Sequence, residues 1–343
     1  MSYGNTQTKL DDIRKYYNTL WCYHYWNEFV LKNEDIVDYK VLSSNPNITW
    51  DIIKNNPDKN WNWGVYGVSS NPNITWDIIK DNPDNPWYWF TICYNPTITW
   101  DIVKDNPDIP WDWSGLLCNP NITWDIVIDN LDNPWSWISN SCNPNITWDI
   151  IKDNPDKHWN WYAISSNPNI TWDIVKDNPD KNWKWSVLSR NSNITWDIIK
   201  DNPDKPWDLE SFSCNVNITW DIIKDNPDKR WNWYRISKNP SITWDIIKDN
   251  PDKPWSWCGI CENPNINWDI LIEYNDSVNW QHCYQLSSNI FTKQKELFME
   301  EQYRKHNAAF KIQTYWRRAN YNPEYLLCRN RLMHECDMLG ITD

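Results

Sequence analysis

Read as apolar and polar positions, the chain settles into one pattern that recurs from about residue 41 to residue 290. Asn-Pro or a close variant starts at Asn45, Asn71, Asn95, Asn119, Asn143, Asn167, Asn191, Asn215, Asn239 and Asn263, with a first interval of 26 residues and later intervals of 24. One unit reads Asn143-Pro-Asn-Ile-Thr-Trp-Asp-Ile-Ile-Lys-Asp-Asn-Pro-Asp-Lys-His-Trp-Asn-Trp-Tyr-Ala-Ile-Ser-Ser166. Ten copies at a fixed period are the signature of a stacked array rather than of one compact core.

Each unit predicts two short elements. Thr147 is an N-cap candidate for a helix over Trp148–Asn154, because its hydroxyl can accept from an orphan N–H of the first turn. Trp148 and Ile151, at i and i+3, share a face, with Ile150 beside them. Pro155 stops the helix, since the residue before a proline is pushed out of the α region. Asp156 is then positioned to cap a second segment carrying Trp159, Trp161 and Ile164, and Pro206 and Pro254 in other units suit a first helical turn. Trp159 and Trp161 are two apart, which is not a one-face helical spacing. Either the segment is a tight α/3₁₀ helix with one Trp inward and one toward the next unit, or it is a short strand. The expected class is therefore all-α, an elongated α-solenoid of ten 24-residue units, with an α/β solenoid as the alternative.

Helices of about seven residues do not persist alone, so units must be stabilised by stacking. The chain has 31 Trp, and only Trp21, Trp26 and Trp316 lie outside the array, so the indoles read as the packing material between units. A mean hydropathy of −0.81 therefore does not signal disorder. The solvent side is charged, with Asp149 and Lys152 at i, i+3 recurring along the array. The Asn-Pro turns are expected to stack through Asn side chains bonding adjacent backbones.

A period-24 order of Asn-Pro-x-x-Thr, short helix, Asp-x-Pro-Asp and second short turn resembles the leucine-rich variant repeat, related to armadillo and HEAT arrays. Here Trp and Ile stand where that family uses Leu and Val, so the likeness is one of architecture. The wording Asn-Pro-Asn-Ile-Thr-Trp-Asp-Ile-Ile-Lys-Asp-Asn-Pro-Asp-Lys-Pro-Trp also resembles Trp/Asn-rich repeat proteins of giant DNA viruses of the mimivirus type, over roughly residues 41–290. That likeness implies little about activity.

Residues 1–40 hold Trp21, Tyr23, Tyr25, Trp26 and Phe29 and read as an N-terminal helical cap, and the array degrades at Asn279–Cys283 as a cap should. Residues 291–343 read as a basic helical extension: Lys293–Arg318 as one helix, a break at Pro323, and a second helix over Glu324–Leu339. Ala309, Ile312, Trp316 and Ala319 form its apolar stripe. Ala309-Phe-Lys-Ile312-Gln313-Thr-Tyr-Trp316-Arg317-Arg318 resembles the first half of an IQ motif, which binds calmodulin. Arg318 replaces the usual Gly, and Tyr321 stands where a second basic residue belongs. The resemblance implies a partner-binding helix through Ile312, Gln313, Trp316, Arg317 and Arg318, with a calmodulin-like protein as partner. The competing reading is that Ile312 and Trp316 dock back as a lid or drive self-association.

Net charge of −13 argues against nucleic acid, whose affinity rests on Lys and Arg neutralising phosphates. No apolar run near 18 residues predicts a membrane span, and Met1–Thr6 begins no signal peptide, so a cytoplasmic or virion location, not a secreted one, is expected. Asn47, Asn73, Asn121, Asn145, Asn169, Asn193 and Asn217 stand in Asn-x-Thr, which is a glycan ladder in a secreted chain but a turn plus a helix cap here. Cys258-Gly-Ile-Cys261 lacks the second pair a zinc site needs, and Cys118, Cys142 and Cys214 share one ordinary repeat column. Carboxylates recur in every unit, and 6 Gly leave no room for a phosphate loop, so neither enzyme nor cofactor is expected. The expectation is a non-enzymatic scaffold for protein–protein interaction; a carbohydrate-binding Trp array, stacking sugars on an exposed row, is the alternative.

Overall fold

The computed structural model describes residues 4–135, 137–273 and 284–320. Thr147 is extended, at φ −96° and ψ 166°, and its Oγ1 accepts from Ile150 N at 3.4 Å, starting the helix Trp148–Asp153. Thr49, Thr99, Thr123, Thr171, Thr195, Thr219 and Thr243 do the same in their own units. Asn154 ends the helix: its Nδ2 donates to Ile150 O at 2.9 Å, and its own carbonyl accepts Trp159 Nε1 at 2.9 Å. The loop after the helix is thereby tied to a Trp, which leaves neither group orphaned.

The second segment is helical in every described unit, and no strand occurs among the described residues. It runs over Trp161–Ser166 and is capped by Asn160, whose Oδ1 accepts from Tyr162 N and Ala163 N. Asp156 lies in the preceding turn, so the cap expected there sits four residues later. Pro206 likewise precedes its helix, Leu209–Phe212, whose cap is Asp208. In the first unit two extra residues account for the 26-residue interval. Val65 and Tyr66 bulge into solvent between Gly64 and Gly67, and the helix shrinks to the 3₁₀ turn Val68–Ser70.

Neighbouring units share one core. Ile146, Ile151 and Ile164 of one unit pack with Ile170, Val175, Trp183 and Leu188 of the next. Trp183 lies against Trp148 at 5.9 Å and edge-on to Trp161 at 5.1 Å and 88°. The two Trp of a second segment therefore point opposite ways along the stack, one to the previous unit and one to the following.

Two polar ladders accompany the core. Asn215 Nδ2 lies 2.9 and 3.1 Å from the carbonyls of Asn191 and Ile194 in the unit before and 3.0 Å from that of Ser189 just ahead of that unit, while its Oδ1 accepts from Asn217 N at 2.9 Å. In the second ladder, Ser165 Oγ donates to Trp161 O at 2.7 Å and accepts Lys184 N of the next unit at 3.0 Å. Ser43, Ser69, Ser141, Ser189, Ser213 and Ser237 likewise accept from the next unit's backbone.

The Asn ladder does not stop at its ends. Asn289 donates to Cys261 O and Asn263 O, as a further rung should. Asn45, the first rung, then donates to Ser287 O at 2.9 Å and Asn289 O at 3.0 Å, and Asn47 Nδ2 to Ile290 O at 3.1 Å. The Ser ladder closes alongside, with Asp38 N donating to Ser287 Oγ at 2.7 Å. Together with the ten Asn-Pro rungs, Asn289 makes eleven buried rungs among the described residues, joined in a closed circuit. The all-α solenoid is as expected, and its first and last turns are hydrogen-bonded to each other.

The joining unit is composite. Trp26 packs on Trp61 at 6.2 Å and 32°, as Trp148 does on Trp183, and Tyr39 meets Trp61 edge-on at 5.5 Å and 88°, as Trp161 does Trp183. The π-helix Tyr25–Val30 thus stands as a first helix and Tyr39–Leu42 as a second, with Phe29 stacked on Trp268 at 5.4 Å and 15°. The turn of this unit comes from the other end of the chain, at Asn289-Ile290-Phe291.

By packing, the chain divides into residues 24–291 and a second unit of residues 1–23 with 292–343. Residues 24–40 therefore belong with the repeats rather than with a separate cap. The second unit pairs Gly4–His24 with Thr292–Asn320 through Trp21 on Phe298 and Tyr17 edge-on to Tyr303 at 4.7 Å. Asn279–Cys283, Tyr321, Pro323 and the expected helix over Glu324–Leu339 lie outside the described residues.

Candidate functional site

Comparing the units position by position separates framework from freedom. Trp-Asp-Ile-(Ile/Val)-Lys-Asp-Asn-Pro-Asp scarcely changes along the first helices. The ladder Asn, the Ser below it and the paired Trp are nearly as constant, for the packing reasons above. Two columns on the second helices vary. One holds Phe90, Ser114, Tyr162, Ser186, Glu210, Tyr234 and Cys258; the other holds Ser70, Tyr94, Cys118, Cys142, Ser166, Arg190, Cys214, Lys238, Glu262 and Ser288.

These columns lie one residue after the first helical Trp and one residue before the ladder Asn, so they share the solvent side of the second helices. Tyr94 and Tyr162 are more than half exposed, and Phe90 and Tyr234 are exposed as well. Tyr66, on the two-residue bulge, is 81% exposed. Large aromatic side chains standing in water outside the core and the ladders are what marks an interaction surface. The Trp residues do the opposite: among the described side chains none is exposed.

Polar side chains of the same columns brace adjacent units. Arg190 Nη2 donates to Tyr162 OH at 3.1 Å, and Arg235 Nη1 to Cys214 Sγ at 3.0 Å. Lys238 forms an ion pair with Glu262, which also accepts from Tyr234 OH; the Glu262 side chain is only 7% exposed. A cleft of about 660 Å³ opens over these residues, walled by Val216, Pro240, Pro264 and Ile290. Its buried carboxylate is already satisfied by Lys238 and Tyr234. The outer first-helix face carries exposed Lys–Asp pairs such as Lys152–Asp149 at 2.9 Å, worth little in stability.

The other singled-out residues fall as follows. Ile312 is half-buried and Gln313 exposed on the helix Thr292–Asn320; the side chains of Trp316, Arg317 and Arg318 are outside the described ones. The Asn-x-Thr asparagines use their amide nitrogens between units, as Asn193 does on Pro168 O at 2.7 Å and Ile170 O at 3.0 Å. Among the described residues no group of three or more metal-binding side chains is found, and Cys261 is buried. No helix among them is long and apolar enough to cross a membrane. Compared with family models, curated proteins and solved structures, the chain matches none.

Proposed function

We propose that residues 24–291 form a non-enzymatic scaffold that binds a protein partner through the variable columns of the second helices. The observation carrying this reading is the division of labour within the repeat. Positions that build the core and the two ladders are nearly constant, whereas the variable columns of the second helices carry exposed Phe90, Tyr94, Tyr162 and Tyr234. Tyr and Phe supply large contact area at low conformational cost, which suits a protein interface. An acidic chain argues against a nucleic acid in that place. A carbohydrate-binding Trp row is disfavoured, because the described indoles are engaged between units. A calmodulin-like partner for Thr292–Asn320, kinship with giant-virus repeat proteins and a cytoplasmic or virion location rest on sequence resemblance and composition alone.

Affinity capture with the double variant Phe90→Ser/Tyr94→Ser tests the proposal. Ser already occupies both columns, at Ser114 and Ser166, so the fold is kept. Loss of a partner that a chain lacking residues 292–343 still captures is the expected result. If the C-terminal segment alone retains every partner and the double variant loses none, the scaffold reading fails.

A further inference from the structure

Two thiols of adjacent units stand side by side. Cys118 and Cys142 each precede a ladder asparagine, so they occupy one column one rung apart. Cys118 Sγ lies 3.7 Å from Ser139 O, and that same carbonyl accepts the backbone N–H of Cys142 at 3.0 Å. The sulfur of one unit is thereby held beside the backbone of the other cysteine. Their helices, Trp113–Leu117 and Trp137–Asn140, pack directly on each other. Cys142 is exposed and Cys118 half-buried, and neither is in a disulfide.

The neighbouring Cys118 side chain holds the Cys142 thiol below its ordinary value, against the opposing effect of burial. Cys118 is pushed up by the same neighbour, and burial and Asp112 add to that. Cys214 in the same column provides a contrast. It bonds Ser211 O of its own unit at 3.1 Å, receives Arg235, and has Arg190 and Lys238 as column neighbours rather than a thiol.

We propose that Cys118 and Cys142 are an oxidative modification site, converted by a hydroperoxide into a disulfide joining two adjacent units. The Cys142 thiolate attacks a peroxide oxygen; the O–O bond breaks, and the departing hydroxide takes a proton to become water. Cys118 sulfur then attacks the sulfenic sulfur of Cys142. The S–S bond forms, the S–O bond breaks, and the hydroxyl leaves with the Cys118 proton as a second water. Two thiols and one hydrogen peroxide give one disulfide and two waters, the sulfurs supplying the two electrons. A thiolate of lowered pKa with a second thiol in reach is the arrangement such chemistry needs. The site lies on the face proposed for the partner, but its oxidation does not depend on that reading.

The test treats the reduced full chain at pH 7 with one equivalent of hydrogen peroxide, blocks it with N-ethylmaleimide and maps peptides without reduction. A linked Cys118–Cys142 peptide, lighter by two hydrogens, is the expected first product. In Cys118→Ser, Cys142 stops at the sulfenic acid and is trapped by dimedone; in Cys142→Ser, Cys118 stays reduced. Both variants place Ser where Ser70 and Ser166 already stand. The proposal is overturned if another pair links first or if no link forms at several equivalents.

Discussion

The buried amide of each ladder asparagine is matched to its surroundings group by group. Asn215 offers donors to a cluster of three carbonyls and one acceptor to a backbone N–H, which no other side chain of that size supplies. An Asp of the same shape would aim oxygens at those carbonyls. Asn215→Asp should therefore destabilise more than Asn215→Ala at pH 7. A carboxylate so placed has its pKa raised on folding, so its penalty is present above the unfolded pKa of about 4. Urea melts of Asn215→Asp should recover stability as pH falls through the raised folded value, when the acid gains a proton to donate. Melts of Asn215→Ala should show no such pH dependence relative to the parent. Glycine is equally local: a Cβ on Gly259 would sit 2.4 Å from Tyr234 O, and one on Gly115 2.4 Å from Phe90 O. Other units carry side chains in that column, such as Ala163, so the close approach belongs to these two joints. Gly259→Ala should cost about 1–3 kcal/mol in urea melts, while Ala163→Gly costs about 1.

At the level of elements, six-residue helices survive because Trp residues couple them. Trp183 packs on Trp148 and Trp161 of the unit before and ties Asn178 O of its own. Trp183→Ala should cost about 3–5 kcal/mol. Hydrogen exchange should place the loss in Trp148–Asp153 and Trp172–Asp177 together. A Trp serving only its own unit would instead leave Trp148–Asp153 protected. The first helix, its Thr cap and the Asp149–Lys152 pair were legible in the sequence, since each depends on residues within one turn. The second segment's helicity was only half legible, because its two Trp point to different neighbours and so imitate strand alternation. Its cap was misplaced onto Asp156 because Asp156 and Asn160 are equally able acceptors, and only the packing of Trp159 puts Asn160 at the start of the turn. The Ser ladder escaped notice although Ser165, Ser189, Ser213 and Ser237 stand two residues before ladder Asn; aligning the units by column would have found it. The same alignment exposes the variable columns of the candidate face, which no single unit reveals.

For residues 24–291 as a whole, the consequential feature is that the ladder has no end. The composite unit hides from the sequence because its turn and its helices come from opposite ends of the chain. Its first helix, a π-helix, also carries an extra residue between Trp26 and Asn33 relative to Trp148 and Asn154. In an open solenoid the terminal rung has one neighbour and frays, so removing it costs little. In a closed circuit every rung has two neighbours, and the first is worth as much as any other. Asn45 donates to Ser287 O and Asn289 O, much as Asn215 does to Ser189 O and Asn191 O. Asn45→Ala and Asn215→Ala should therefore each cost about 2–4 kcal/mol, a buried joint losing two or more carbonyl partners in either case. Equal shifts in urea melts, with exchange protection lost at Ser287–Asn289 in the Asn45 variant, are the expected result. If Asn45→Ala is silent while Asn215→Ala is not, the circuit is open in solution, and the N-terminal helices are a cap after all.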